Sequence, residues 1–190
     1  MNYSCAYGKI LLCAFVLVIL SACAAWSHFG MVIPSDNMIM QNDERSIDID
    51  MSFSHPFEMV GMELVKPERF FVVTDGERQS LLDSLEKSKV MDEKAWTINF
   101  PVKRPGAYTF CMVPKPYWEP AEDCYIVHYT KTVAAAFGMD EGWDAEIGLK
   151  TEIVPLTKPY ALYEGNLFQG IVKLNGEPVQ YAEVEVEYYN

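Results

Sequence analysis

The sequence predicts an all-β protein, an antiparallel β-sandwich, and three observations support this fold class. Apolar residues alternate with polar ones, apolar runs have strand length, and glycine or proline turn signals separate them. The clearest alternation covers residues 46–53, where Ile47, Ile49, Met51 and Phe53 share one face. Short strands joined by such turns favour packed antiparallel sheets over a parallel sheet with helices.

The remaining elements follow in chain order. Residues 80–90 are the one segment with leucines at roughly helical spacing, and they predict a short helix. Asp75-Gly76 and Pro105-Gly106 mark turns between strands. The predicted strands after residues 46–53 are 69–74, 95–100, 107–113, 125–134 and 146–154.

The C-terminal segment predicts a hairpin of residues 167–174 and 182–189 around the turn Asn175-Gly176. A lone two-stranded hairpin is marginally stable in water. It therefore either completes the first sandwich or opens a second β-domain, and we favour the second interpretation. The predicted organisation is a β-sandwich over residues 28–163 and the start of an incomplete domain over 164–190.

Residues 1–27 have the plan of an export signal. One lysine precedes the unbroken apolar run 10–20, and small residues follow it. The run is shorter than the ~20 residues of a membrane-spanning helix. Two cleavage sites remain open: a lipoprotein-type cut that would leave an acylated Cys23, or a cut after Ser27 that would make His28 the first residue. Either way, we expect a periplasmic or otherwise exported protein.

The net charge limits the classes of possible partner, and the cysteines bear on disulfide formation. The formal net charge of −12 excludes nucleic-acid binding through phosphate neutralisation. Of five cysteines, Cys111 and Cys124 are the two that follow the leader. In an oxidising compartment they predict a disulfide, whose loop would contribute roughly 3 kcal/mol. Two thiolate metal ligands are the alternative, but no CxxC spacing accompanies them.

The histidines are the main candidates for function. The chain has three, and it has no GxSxG, phosphate-loop, HExxH or EF-hand motif. A free N-terminal His28 would offer its amine and imidazole together, a pair suited to Ni²⁺, Co²⁺, Cu²⁺ or Zn²⁺. The alternative is three unrelated imidazoles, each hydrogen-bonded locally. The predicted metal ligands are His28, His55 and His128, with carboxylates from Glu58, Glu119 or Glu122.

Several long motifs resemble one family of exported bacterial proteins of unknown function, described as the periplasmic component of nickel or cobalt uptake systems. The matching segments are HFGMVIPSD (28–36), HPFE (55–58), PKPYWEPAED (114–123), IVHYTK (126–131) and EIVPLT (152–157). The resemblance implies a signal that ends just before His28. It also implies a second domain of the transthyretin-like or carboxypeptidase-regulatory type, whose opening hairpin residues 169–186 would form.

The resemblance implies a binding protein that captures Ni²⁺ or Co²⁺ and delivers it to a membrane uptake transporter, with no enzymatic reaction. Two other classes stay open. A copper-binding protein, or a copper enzyme with an N-terminal histidine, would use the same amine and imidazole pair. A structural or carbohydrate-binding β-module would explain the aromatic loop 117–123 without a metal.

Overall fold

The computed structural model of the chain describes residues 28–120 and 122–189. The predicted export signal and the lipidation candidate Cys23 lie outside these residues. No helix within them is both long and apolar enough to cross a membrane. The strands of the described residues are β1 (Phe29–Pro34), β2 (Met38–Ile39), β3 (Ser46–His55), β4 (Val60–Met62), β5 (Arg69–Thr74), β6 (Glu77–Ser80), β7 (Glu86–Val90), β8 (Glu93–Pro101), β9 (Gly106–Val113), β10 (Tyr117–Glu119), β11 (Cys124–Ile126), β12 (Thr130–Ala136), β13 (Thr151–Pro155), β14 (Gly170–Leu174) and β15 (Glu177–Pro178).

Two five-stranded sheets form the predicted sandwich, so the all-β fold class is confirmed. The first sheet has the order β1-β3-β8-β7, with β4 also paired to β3. The second has the order β2-β12-β9-β5-β6, and its one parallel pair is β2 with β12. A small hairpin, β10-β11, and a three-stranded sheet, β13-β14-β15, complete the described strands.

The core lies between the two sheets, and the period-two pattern builds it. The apolar residues of β3 that share one face are all buried, as predicted. They pack against the second sheet through Phe70, Phe110 and Met112. The opposite face of the second sheet is also covered, because Ile147 and Leu149 pack on its Cys111 side. Consequently β9 is buried along its whole length.

The predicted helix over residues 80–90 is wrong. The chain forms a single 3₁₀ turn, Leu82–Ser84, and then the edge strand β7, which pairs with β8. Leu81 and Leu85 flank the turn and are both buried in the sandwich core. Their spacing reflects two anchors on either side of a tight turn, and strand pairing overrides the weak helical pattern.

The predicted strand 125–134 is interrupted. Residues 124–126 form β11, residues 130–136 form β12, and residues 127–129 between them are not in a strand. This break separates the small hairpin from the second sheet. His128 lies within it.

The C-terminal hairpin differs from its prediction. The turn Asn175-Gly176 is present, with both residues at positive φ, but it joins β14 to the two-residue β15. Residues 182–189 form no strand. Instead β14 pairs with β13 over five residue pairs, which satisfies one of its edges. The three-stranded sheet therefore takes strands from both sides of residue 163.

The predicted disulfide is also wrong, because Cys111 and Cys124 are both free thiols. Cys111 lies buried on the outer face of the second sheet, whereas Cys124 lies on the β10-β11 hairpin. Burial raises the pKa of the Cys111 thiol to about 12. The charged groups near Cys111 are Lys131, Arg78 and Glu152, and those near Cys124 are Glu122, Glu119 and Asp123.

Candidate metal centre

Strand register brings the first two predicted ligands together. β1 and β3 are antiparallel with Phe29 opposite Ser54, so one further step places His28 opposite His55. Their ring centroids are 4.5 Å apart, with the planes tilted by 45°. His55 is buried, at 4% exposure, because it continues the inward face of β3. The pair thus forms where β1 begins and β3 ends.

The β10-β11 hairpin supplies a carboxylate to this pair. Glu119 is buried, and its Oε2 lies 3.5 Å from Nδ1 of His28. Two residues earlier, Tyr117 lies with its ring centroid 5.5 Å from that of His28 and 5.0 Å from that of Phe53. Alternation along β10 therefore directs the carboxylate and the phenol ring to the same place.

His128 reaches the same group of rings from the break between β11 and β12. Its ring centroid lies 5.1 Å from that of Phe53. Two residues later, the Thr130 hydroxyl donates a hydrogen bond to the Gly30 carbonyl at 2.6 Å, which fastens this segment to β1. His128 Nε2 is buried and has no hydrogen-bond partner among the described residues. An enclosed imidazole nitrogen of this kind is a rare state that calls for a ligand or a proton partner.

Burial and neighbouring charge keep two of the imidazoles neutral. Burial lowers the pKa of His28, and His55 lowers it further, while Glu119 and Glu122 oppose the shift. Burial also lowers the pKa of His128, with a smaller contribution from His28. Both imidazoles are therefore unprotonated at neutral pH, the form that binds metals.

The six predicted ligands divide into three groups. His28, His55 and Glu119 meet directly, and His128 joins them across Phe53. Glu122 lies near enough for its charge to act on His28. Glu58 lies exposed in the turn 56–59 that follows His55.

The donor set suits a borderline divalent cation, because imidazole nitrogens with a carboxylate oxygen are common ligands of such ions. With the side chains as placed, however, no group of three or more His, Cys, Asp or Glu in the described residues has the arrangement of a metal-ion site. A complete shell would need side-chain rotation about the His28–His55 pair.

A pocket of about 300 Å³ opens beside His128. Its wall includes Phe53, Leu64, Tyr117 and Trp118. Trp118 is partly exposed and makes an edge contact with Tyr125, with ring centroids 5.0 Å apart. The pocket gives a small solute access to the His128 side of the site.

A protein-family model matches residues 25–190. The chain belongs to the family described as a domain of unknown function, DUF4198. Neither the curated proteins nor the solved structures contain a match to this member of the family. We call His28, His55, His128 and Glu119 the histidine cluster. The DUF4198 match covers all four residues.

The aromatic and glycine residues of this candidate site were not among the predicted ligands. Phe53 separates His28 from His128, and its place on the same alternating face as His55 was the available signal. Tyr117 had a comparable signal, since it lies two residues before Glu119. No sequence signal pointed to Gly30, because its role depends on a close approach between β1 and the segment before β12.

Replacing Gly30 by alanine is expected to displace His128. The added Cβ would lie 2.9 Å from the Cβ of His128 and 3.3 Å from Oγ1 of Thr130. Forcing an extra methyl into such a contact typically costs about 1–3 kcal/mol. Urea unfolding should show this loss, and the NMR signals of the His128 ring should shift. Unchanged stability with unchanged His128 signals would contradict the assigned contact.

Proposed function

We propose that this DUF4198 protein captures a divalent transition metal, Ni²⁺ or Co²⁺, outside the cytoplasm and delivers it to a membrane uptake transporter. One observation carries the proposal. His28 and His55 lie side by side next to the buried Glu119 carboxylate, and His128 borders the same aromatic ring. Neutral imidazoles beside a carboxylate are donors that divalent transition metals accept.

The cluster offers the chemistry that metal capture requires. Neutral imidazoles can coordinate without first losing a proton. Glu119 would act as an oxygen ligand or as the acceptor that orients His28. Phe53 and Tyr117 enclose the rings, which limits access of water and strengthens the interaction of a cation with the carboxylate.

The choice among ions rests on the donor set. Nitrogen ligands with one carboxylate suit Ni²⁺ and Co²⁺, and they also accept Cu²⁺ or Zn²⁺. Processing after Ser27 would add the His28 amine as a further nitrogen ligand. A protein that only binds and releases its ion needs no reaction, so we propose a carrier rather than an enzyme. Redox turnover of the Cu²⁺-loaded protein with reductant and O₂ would instead indicate a copper enzyme.

The acidic surface supports capture but not selectivity. A formal net charge of −12 raises the local concentration of any cation near the protein. Ion choice must therefore come from the cluster itself. Transfer to a transporter would take place through the pocket beside His128, which is the opening described above.

The exposed Trp118–Tyr125 pair supports a second candidate, a carbohydrate-binding module. Both rings are partly exposed, and each offers an apolar face on which a sugar ring would pack. Calorimetry separates the two candidates. Heat with an oligosaccharide but none with Ni²⁺, Co²⁺, Cu²⁺ or Zn²⁺ would favour the module.

Metal affinity is expected to fall as the pH drops below the pKa of the imidazoles. The pKa values of His28 and His128 are lowered, so both rings stay neutral to below the ordinary value of 6.5. Below its pKa, each coordinating imidazole costs up to about tenfold in affinity per pH unit, because the proton competes with the metal. Calorimetric titration with Ni²⁺ at about pH 7.5 and about pH 5 measures the loss.

The same titration tests the function. Tight one-to-one binding at the higher pH with a large loss at the lower pH is the expected result. Affinity that is equal at both pH values would exclude histidine ligation, and an absence of binding to all four divalent ions would exclude the carrier.

A further inference from the structure

A second cavity, of about 550 Å³, lies at the β2 edge of the second sheet. It shares no lining residue with the pocket beside His128. Three methionines line it: Met38, Met40 and Met139. The metal-capture proposal uses none of them.

The fold brings these methionines together from two segments. Ile39 is buried in the core, so alternation along the chain turns Met38 and Met40 to the opposite side. β2 pairs with β12, with Ile39 opposite Ala136. A tight turn over residues 136–139 then folds Met139 back beside Ala136 through an isolated bridge. Met139 thus returns to the strand that borders β2.

The three side chains are unusually accessible for methionine. Met38, Met40 and Met139 are 41%, 54% and 49% exposed, whereas the core residues Met51 and Met112 are completely buried. A thioether that only fills core space has no need of solvent contact. These side chains are accessible to a solute that enters the cavity.

The other polar groups of the cavity compete poorly for a soft ion. Lys158 and Asp140 form an ion pair with each other, and this pairing raises the pKa of Lys158. The Tyr160 hydroxyl is buried, and burial raises its pKa, so it stays protonated. The accessible soft donors of the cavity are therefore thioethers.

We propose that Met38, Met40 and Met139 form a binding site for a soft monovalent cation, Cu⁺ or Ag⁺. Thioether sulfur selects soft ions over Ni²⁺, Co²⁺ or Zn²⁺. It carries no proton in the accessible pH range, so binding at this site persists where the imidazoles are protonated. The proposal is independent of the histidine cluster, and acid pH separates the two sites.

The test is a titration with Ag⁺ at about pH 5, where protons compete with Ag⁺ for imidazole nitrogens but not for thioether sulfur. Cys124→Ser removes the partly exposed thiol, while Cys111 is buried with a pKa of about 12 and stays unreactive. The ¹³C-labelled methionine methyl signals report the site directly. One equivalent of Ag⁺ should shift the signals of the three cavity methionines.

Matched leucine variants identify the donors, because leucine conserves volume without sulfur. The triple change Met38→Leu, Met40→Leu and Met139→Leu should abolish the Ag⁺ equivalent. The double change Met59→Leu and Met62→Leu, in and just after the turn that follows His55, should retain it. Ag⁺ binding that survives the triple change would overturn the proposal. A titration with indole, an apolar probe, provides a second check. Methionine methyl signals that shift with indole but not with Ag⁺ would also overturn the proposal, because the cavity would then bind an apolar ligand.

Discussion

Replacing Lys131 by methionine is expected to lower the free energy of unfolding by about 3–5 kcal/mol, the usual cost of leaving one partner of a buried ion pair uncompensated. Lys131 Nζ lies 2.9 Å from Oε2 of Glu152, and the two side chains are 11% and 1% exposed. The backbone amides of Ile147 and Gly148 also donate to this carboxylate. Urea unfolding at neutral pH measures the loss.

The Glu152 carboxylate is important for stability because its hydrogen bonds hold the 145–149 segment against the second sheet. Burial alone would raise its pKa, but the hydrogen bonds from Lys131, Gly148 and Ile147 outweigh this and lower it. The carboxylate is thus ionised at neutral pH. Without Lys131 it would be a buried charge held by amides alone.

Two comparisons make this prediction specific. Lys94→Met removes an exposed ion pair with Glu63, whose side chains are 41% and 56% exposed, and should cost only about 1 kcal/mol or less. Adding Glu152→Gln to Lys131→Met should recover part of the stability, because a neutral amide can still accept hydrogen bonds. Equal losses for Lys131→Met and Lys94→Met would show that the buried pair has no special role.

Removal of a proposed ligand is expected to have the largest effect on metal affinity. Loss of a group that merely orients a ligand costs about 10–100-fold, so His55→Gln should weaken Ni²⁺ binding by about 100-fold or more. His28→Gln should do the same, since the two rings lie 4.5 Å apart. Glutamine keeps a polar side chain of similar size, which limits loss of stability. Calorimetry at about pH 7.5 measures the affinities.

Glu58→Gln is the matched control for the ligand variants. Glu58 lies in the turn directly after His55, and it is exposed, whereas His55 is buried. The affinity of the Glu58→Gln variant for Ni²⁺ should stay within about threefold of that of the unchanged protein, which is the scale of a surface charge effect. A loss as large as that of His55→Gln would place Glu58 in the coordination shell and revise the ligand set.

Strand pattern was the most predictable feature of this protein. The alternation of Ile47, Ile49 and Met51 fixes which face of β3 is buried, whatever it packs against. Alternation alone did not suffice to predict a strand. Residues 182–189 alternate clearly, yet they form no strand, because a strand also requires a partner edge, and β14 pairs with β13 and β15 instead.

The sequence identified which residues could act as ligands, but it did not predict which of them would lie together. His28, His55 and Glu119 were candidates because of their chemistry, and the structure brings them together. Cys111 and Cys124 were paired on chemistry too, yet they lie among different neighbours. Spacing along the chain cannot distinguish these outcomes, because two residues thirteen apart can point to opposite sides of a sheet.

The sequence by itself determined the all-β class, the inward face of β3, the turn at Asn175-Gly176 and the membership in DUF4198, because local alternation, turn chemistry and long motifs are properties of neighbouring residues. Tertiary structure alone decided that His28 lies opposite His55, that Gly30 allows His128 to approach, and that three methionines share one cavity. The physical reason is register: the period of two assigns each side chain to a face, but only the pairing of distant strands determines which side chains meet.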